Sequence, residues 1–363
     1  MITPVRLRQV WTIARLQLLR VFFSKRSFWV YLLALFPAVI FFGHGIDIKL
    51  KRDRWESRAT PPAKIEAIRV GDSEDEVLQR AGTPIEDHRN EGRRERRRGR
   101  DVEAREPDRR YMMYFDGRNR WNLRFEDGIL QSKRSRSLND FEEDRLVFAG
   151  VFQYFYLRLA VFFGCLGIFM NLFRGEMLDK TLHFWFLVPA RREVLLAGKY
   201  LAGLIAAILI FGTGAALCFG MMLWPQDPTE LASFWNTDGA SHFAWYSAAA
   251  ALACVGYGSV FLAAGLLLRN PIIPAVTILF WESINGVLPA ALQKLSVLYY
   301  VQSLCPVPPP MEANAPLLIK LLAAPAEPPT PALAILGLLG VTVVVLWAAA
   351  RAVRRLEINY GIE

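Results

Sequence analysis

The chain has 363 residues, of which 53% are hydrophobic and 12% aromatic, and carries a formal net charge of +9. Its apolar residues fall in blocks of roughly 18 or more, the length that fills the ~30 Å hydrocarbon core of a bilayer, which excludes a soluble globular class. Much of the positive charge sits in residues 89–110, where Arg is mixed with Glu and Asp and no aromatic is present to stack on a base; this excludes nucleic acid as a partner and reads as a solvated loop.

Residues 5–26 come first. Val10, Ile13, Ala14, Leu18, Val21 and Phe22 recur at helical spacing, with Arg8, Arg15, Gln17 and Lys25 between them. This predicts a basic amphipathic helix lying in the headgroup plane. The apolar stretch that follows starts too late and runs too long for a cleavable signal peptide. It is the first expected span, 28–46, with Pro37 inside it. A polar segment, 47–146, separates it from a second span at 147–173. A basic connection at 174–199 leads to a third span, 200–223. An acidic loop without Lys or Arg, 224–242, precedes the fourth span at 243–268. Arg269-Asn270-Pro271 reads as a tight turn before a fifth span, 272–288. A Pro-rich region, 289–331, precedes the sixth at 332–350, and the tail is basic.

The expected fold is therefore an all-α polytopic membrane domain of six transmembrane helices with a small α+β insert. Three parts are expected: 1–46 with the entry helix and first span, the insert 47–146, and 147–363 with the other spans. The Lys/Arg bias of the short connections puts both termini in the cytoplasm and the insert outside, since loops beyond about 60 residues cross largely regardless of charge. Within the insert, Ser73 and Glu76 form a capping box ahead of Val77 and Leu78, and Gly82 ends that helix. Residues 111–115, 121–125 and 129–135 read as strands, with turns at Asp116-Gly117 and Asp127-Gly128. The order of IRVGDSEDEVLQRAGTP, the Arg tract and WNLRFEDG, over about 65–137, resembles the small lipoprotein domain of the outer-membrane barrel-assembly machinery (BamE/SmpA type). That resemblance implies a module that packs on partners or on its own transporter, and it lacks the lipidated cysteine.

The connection RGEMLDKTLHFWFLVPARREVLLAGK carries the most information. Met177, Leu178, Leu182 and Phe186 share a helical face, so it is either a handle for a soluble partner or an amphipathic connection lying on the membrane. The stretch is similar to the connection between the second and third spans of ABC type-2 transporter permeases, in Glu176, Thr181-Leu182, Pro189, Arg192 and Gly198-Lys199. Lys180 stands where Gly is usual before Thr, and His183 where Glu is usual. The resemblance extends to the entry helix, six spans, an extracytoplasmic insert and a broken region after the fifth span. It implies the ABC type-2 exporter fold in a bacterial inner membrane, with Glu176, Thr181, Leu182, Pro189, Arg192 and Lys199 coupling to a separate cytoplasmic ATPase in two copies. It also implies pairing with a second permease copy, identical or related. No GxxxxGK[ST] loop occurs in the chain, so ATP and Mg would be bound by the partner subunit, and no cofactor is expected here.

Two ionisable residues fall within expected spans. Glu282 lies at about 15 Å depth and Arg158 about 22 Å from the end of its span, by a 1.5 Å rise per residue. Either they meet across the seam between spans two and five or line the translocation path there, or each satisfies itself locally, Arg158 by snorkelling and Glu282 on Ser283 or Asn285. Residues 290–304 read as a short helix, dipping into the outer leaflet or lying on it. Cys165, Cys218, Cys254 and Cys305 are scattered, without metal spacing. His44, His88, His183 and His242 stand alone, so neither a metal site nor an intramembrane catalytic set is expected. The rival functional reading is a membrane scaffold in envelope assembly acting through the insert.

Overall fold

The computed structural model describes residues 4–23, 27–90, 108–187, 190–268, 270, 272–285, 288–308 and 328–355. Most of the Arg tract, Arg269, Pro189, Gly286, the centre of the Pro-rich region and the end of the tail lie outside the described residues. The protein is mostly helical, with a small antiparallel sheet, and it divides into two compact units, Gly43–Asp144 and the remainder.

The larger unit begins with α1 (Pro4–Phe23). Among the described residues, five helices are long and apolar enough to cross a membrane: α2 (Ser27–Glu56), α5 (Phe141–Leu178), α7 (Arg192–Leu223), α8 (Pro228–Leu267) and α12 (Pro331–Arg354). Every one runs past the span expected for it. Helix α8 takes in most of the segment expected as an acidic loop. Asp227 occupies its N-cap position, Pro228 its first turn, and Glu230 faces the positive end of the helix dipole. Those residues read as loop-formers in sequence and are helix starters in place.

The fifth expected span is different. It is a 13-residue helix, α9 (Ile272–Ile284), about 20 Å long and short of a ~30 Å core. The single helix expected after it is two, α10 (Ala290–Gln293) and α11 (Val297–Gln302). The first ends with Lys294 at its C-cap, and Ser296 caps the second by accepting the Tyr299 N–H at 3.1 Å.

Helix α8 is central and packs on α5, α7 and α12. Small residues permit the close approach: a Cβ at Gly203 or Gly258 would lie within 2.7 Å of the Phe169 ring, which those two helices clamp from either side. In α5 the turns widen to a π-helix over Val151–Val161. There Phe148, Phe152 and Tyr156 stack in a column, and the Tyr156 hydroxyl donates to the Phe211 carbonyl at 2.6 Å. Cys165, Cys218 and Cys254 are buried, and Cys305 is half-buried.

The smaller unit is an antiparallel sheet of order β1-β2-β3-β4 (Glu86–Asn90, Arg109–Phe115, Asn119–Glu126, Ile129–Ser137). One face carries α3 (Pro62–Glu66) and α4 (Glu74–Ala81) over a core of Ile65, Ile68, Val77, Met112, Tyr114, Leu123, Phe125 and Leu130. On the other face Trp55 packs on Met113 and Phe115. The Ser73–Glu76 capping box forms, and Gly82 ends α4 with a φ of 83°. Asp127 and Gly128 take positive φ in the β3–β4 turn. Strand β1 is absent from the sequence reading because EDHRN has no apolar alternation. It is held instead by the β2 ladder and by Arg110, which donates to Asp87 at 2.6 and 2.9 Å and to Glu74 at 2.6 Å.

Hydrogen bonding from Arg110 holds the Asp87 carboxyl below its ordinary range. Burial pushes Asp116 up, yet the Asn119 and Arg118 N–H groups and the Trp121 indole N–H outweigh it and hold the group low. Burial pushes the Tyr114 phenol up to about 12. A carboxylate depressed in the folded state contributes stability that is complete above its unfolded value of about 3.9 and is lost as pH falls through the folded value. The insert is therefore expected to keep its stability down to about pH 5 and to lose it progressively below about pH 4, with Asp116→Asn shallowing the loss. Hydrogen exchange of the β2–β3 peptides in the full chain, corrected for intrinsic rates, measures this.

Candidate functional site

The connection between α5 and α7 is fixed first by how α5 ends. Lys180 adopts a φ of 53°, the Thr181 N–H reaches the Glu176 carbonyl at 2.9 Å, and the Lys180 N–H reaches that of Met177 at 3.2 Å. This is a Schellman cap, whose left-handed residue is most easily glycine. Here a lysine accepts the strain of the left-handed backbone. The short helix α6 (Leu182–Leu187) follows. Pro189 and the side chains of Leu182, His183 and Phe186 lie outside the described residues, so their expected roles have no geometry.

The residues expected to touch a partner mostly hold the connection in place. Glu176 and Lys199 form an ion pair; the lysine is fully buried and the carboxylate nearly so. The Lys199 ammonium also donates to the Leu172 carbonyl and lies 4.9 Å from the Phe173 ring centroid and 5.4 Å from that of Trp185. The other Glu176 oxygen accepts the Gln17 amide at 2.6 Å, with Arg20 at 3.9 Å. Gln17, expected on the polar face of the entry helix, is buried in the stripe of Ile13, Ala14 and Val21 that α1 lays against the bundle. A polar residue at stripe spacing was the available signal. Gly198 serves the helix crossing: a Cβ there would come within 2.7 Å of Ile13 and 3.0 Å of the Val10 carbonyl, so glycine lets α1 cross α7. Arg192 donates to the last carbonyls of α12, Val353 and Arg354, at 3.4 and 3.1 Å, and Glu193 pairs with Arg354. Among the described residues the connection leaves Leu178, Phe184 and Leu187 exposed, together with Asp179, Lys180 and Arg191 at its two ends.

The second expected site is brought together in part. The Arg158 guanidinium reaches the backbone carbonyl of Glu282 at 3.4 Å, not its carboxylate. That carboxylate, on a residue 2% exposed, accepts the Ser296 hydroxyl and the Val297 N–H at 3.1 Å. The Tyr257 hydroxyl faces it without closing a well-aligned bond. Glu282 thus ties the end of α9 to the start of α11, and Ser283 turns away to the Leu279 carbonyl. Gln153 Oε1, Arg158 Nε and Asn285 Oδ1 are buried with no partner among the described residues, a costly condition for apolar surroundings.

No family model, no curated protein and no solved structure matches this chain. Among the described residues, no group of three or more His, Cys, Asp or Glu is placed to hold a metal ion.

Removing one partner of a buried ion pair costs about 3–5 kcal/mol, because the other charge stays unpaired. Lys199→Met and Glu176→Gln are each expected to lower thermal stability in detergent by that order. The Lys199→Met/Glu176→Leu double variant should recover most of the loss. By the same measurement Lys180→Gly should stabilise by about 1 kcal/mol, since it relieves a left-handed residue.

Proposed function

We propose that this chain is the membrane-spanning permease subunit of an ATP-binding-cassette exporter in a bacterial inner membrane, working with a separate cytoplasmic ATPase present in two copies. The observation that carries the reading is the connection at 174–199. It is anchored from behind by the Glu176–Lys199 pair, Gln17 and the Schellman cap, while Phe184 and Leu187 stand exposed on its helix. A short helix held at its base, with two exposed apolar side chains between charged ends, can take a push from a soluble partner. In this reading the ATPase presses on α6. The anchors pass the displacement to α1 and α7, and through Arg192 and Glu193 to the end of α12. The motif residues Glu176, Thr181, Arg192 and Lys199 then couple as struts, not as contact points.

The chain ends support six crossings with both termini cytoplasmic. Helix α1 crosses the start of α7, and the end of α12 bonds to the same place, so an even number of passages lies between them. Among the described residues five helices are long enough to cross, and we assign the sixth passage to α9 and α11 about the Glu282 joint. The unpartnered polar atoms near Arg158 and Glu282 suit a translocation path for a lipidic or amphipathic cargo, which enters between two permease copies.

Purification of the tagged full chain from its native membranes in mild detergent tests the reading. Co-purifying ATPase activity is expected, and Leu187→Asp should lower its retention at least about tenfold, as loss of an interface anchor does. Recovery at full yield without any ATPase, together with envelope-assembly proteins, would overturn the exporter in favour of a scaffold acting through the insert.

A further inference from the structure

A cleft of about 350 Å³ opens between α1, the start of α2 and the end of α5. Its size lies in the range of small-molecule sites. Gln17, Arg20, Glu176 and Asp179 line the part beside the end of α5; Val21, Ser27, Asn171 and Leu172 are mixed in the middle, and Val30, Gly167 and Ile168 line the rest. The polarity follows depth. Asp179 follows the last turn of α5, so the charged part lies at the end of a membrane-length helix. Gly167 and Ile168 lie up to about 18 Å further along α5 by its rise per residue. A lipid lies in a membrane in the same way, headgroup at the helix ends and chains alongside the helices.

The charges select among lipids. Once Lys199 neutralises Glu176 from behind, Arg20 is the cation and Asp179 the anion among the described residues that line the cleft. One of each fits a zwitterion and disfavours a headgroup with net negative charge. An ammonium that donates hydrogen bonds matches the Asp179 carboxylate, and a quaternary ammonium has no hydrogen to give. The phosphate matches Arg20.

We propose that this cleft is a binding site for a zwitterionic glycerophospholipid with a primary-amine headgroup, of the phosphatidylethanolamine class, seated between the entry helix and the bundle. The site requires only that the chain is membrane-embedded, and stands or falls apart from the exporter reading.

Gly167 provides a steric test separate from the charges. A Cβ there meets only Val30, at 3.6 Å, an ordinary contact, so Gly167→Leu fits the backbone and projects its side chain into the cleft. The full chain, purified and washed in mild detergent, is examined by native mass spectrometry after exchange into micelles doped with dioleoyl-phosphatidylethanolamine, -phosphatidylcholine or -phosphatidylglycerol. One ethanolamine lipid per chain is expected to persist, on the order of fivefold over the other two. Asp179→Asn should reduce that preference over the choline lipid, Arg20→Gln should lower retention of both zwitterionic lipids, and Gly167→Leu should abolish retention. Thermal unfolding of the same variants confirms that each is folded. Equal retention of the three lipids, or undiminished retention in folded Gly167→Leu, would overturn the proposal.

Discussion

The Glu176–Lys199 pair joins three pieces of chain that the sequence keeps far apart. Its carboxylate comes from the last turn of α5 and its ammonium from the second turn of α7, and the second carboxylate oxygen is taken by Gln17 of α1. A lysine with no exposed surface is tolerable only because every donor position has somewhere to go: a carboxylate, the Leu172 carbonyl, and the faces of Phe173 and Trp185. Removing the pair would leave α1 held mainly by the crossing at Gly198. The connecting helix would then have no fixed base, and an apolar surface on a loose segment transmits nothing.

Glu282 plays a related part by opposite means. Among the described residues no cation is paired with its carboxylate; it accepts a hydroxyl and a backbone N–H at the first turn of α11. A broken segment at membrane depth leaves N–H and C=O groups without helical partners, and these must be satisfied within the protein or in a cavity. Glu282 satisfies part of that need at α11, and the Arg158 guanidinium serves the carbonyl at the end of α9. The buried carboxyl of α9 is therefore explained by the helix start that it joins.

Local chemistry was legible in the chain, and long-range chemistry was not. The capping box at Ser73 and Glu76, the stop at Gly82 and the turn at Asp127-Gly128 are set by residues close to one another in the chain, and each is found where its residues stand. Strand β1 depends on Arg110, more than twenty residues away, and no periodicity in Glu86–Asn90 announces it. The start of α8 was hidden because Pro228 and Glu230 serve a loop and a helix N-terminus equally well. At the candidate site, Glu176 and Lys199 stood out by resemblance alone. Their pairing, and the recruitment of Gln17, depend on how α1 lies across α7, which spacing does not encode. The Arg158–Glu282 expectation named two neighbours but not the atoms that meet, because the partner of the carboxylate lies at Ser296 and Val297 beyond an unanticipated turn.

The disposition of the thiols has a practical bearing. Three of the four cysteines are buried in the bundle and the fourth is half-buried, so the native chain offers little to a bulky, membrane-impermeant maleimide while folded. A cysteine introduced at an exposed position therefore reports against a nearly silent background, without first stripping the protein of its own sulfur. Because Cys165, Cys218 and Cys254 also fill space between helices, such stripping would open voids in the packing that the labelling is meant to observe.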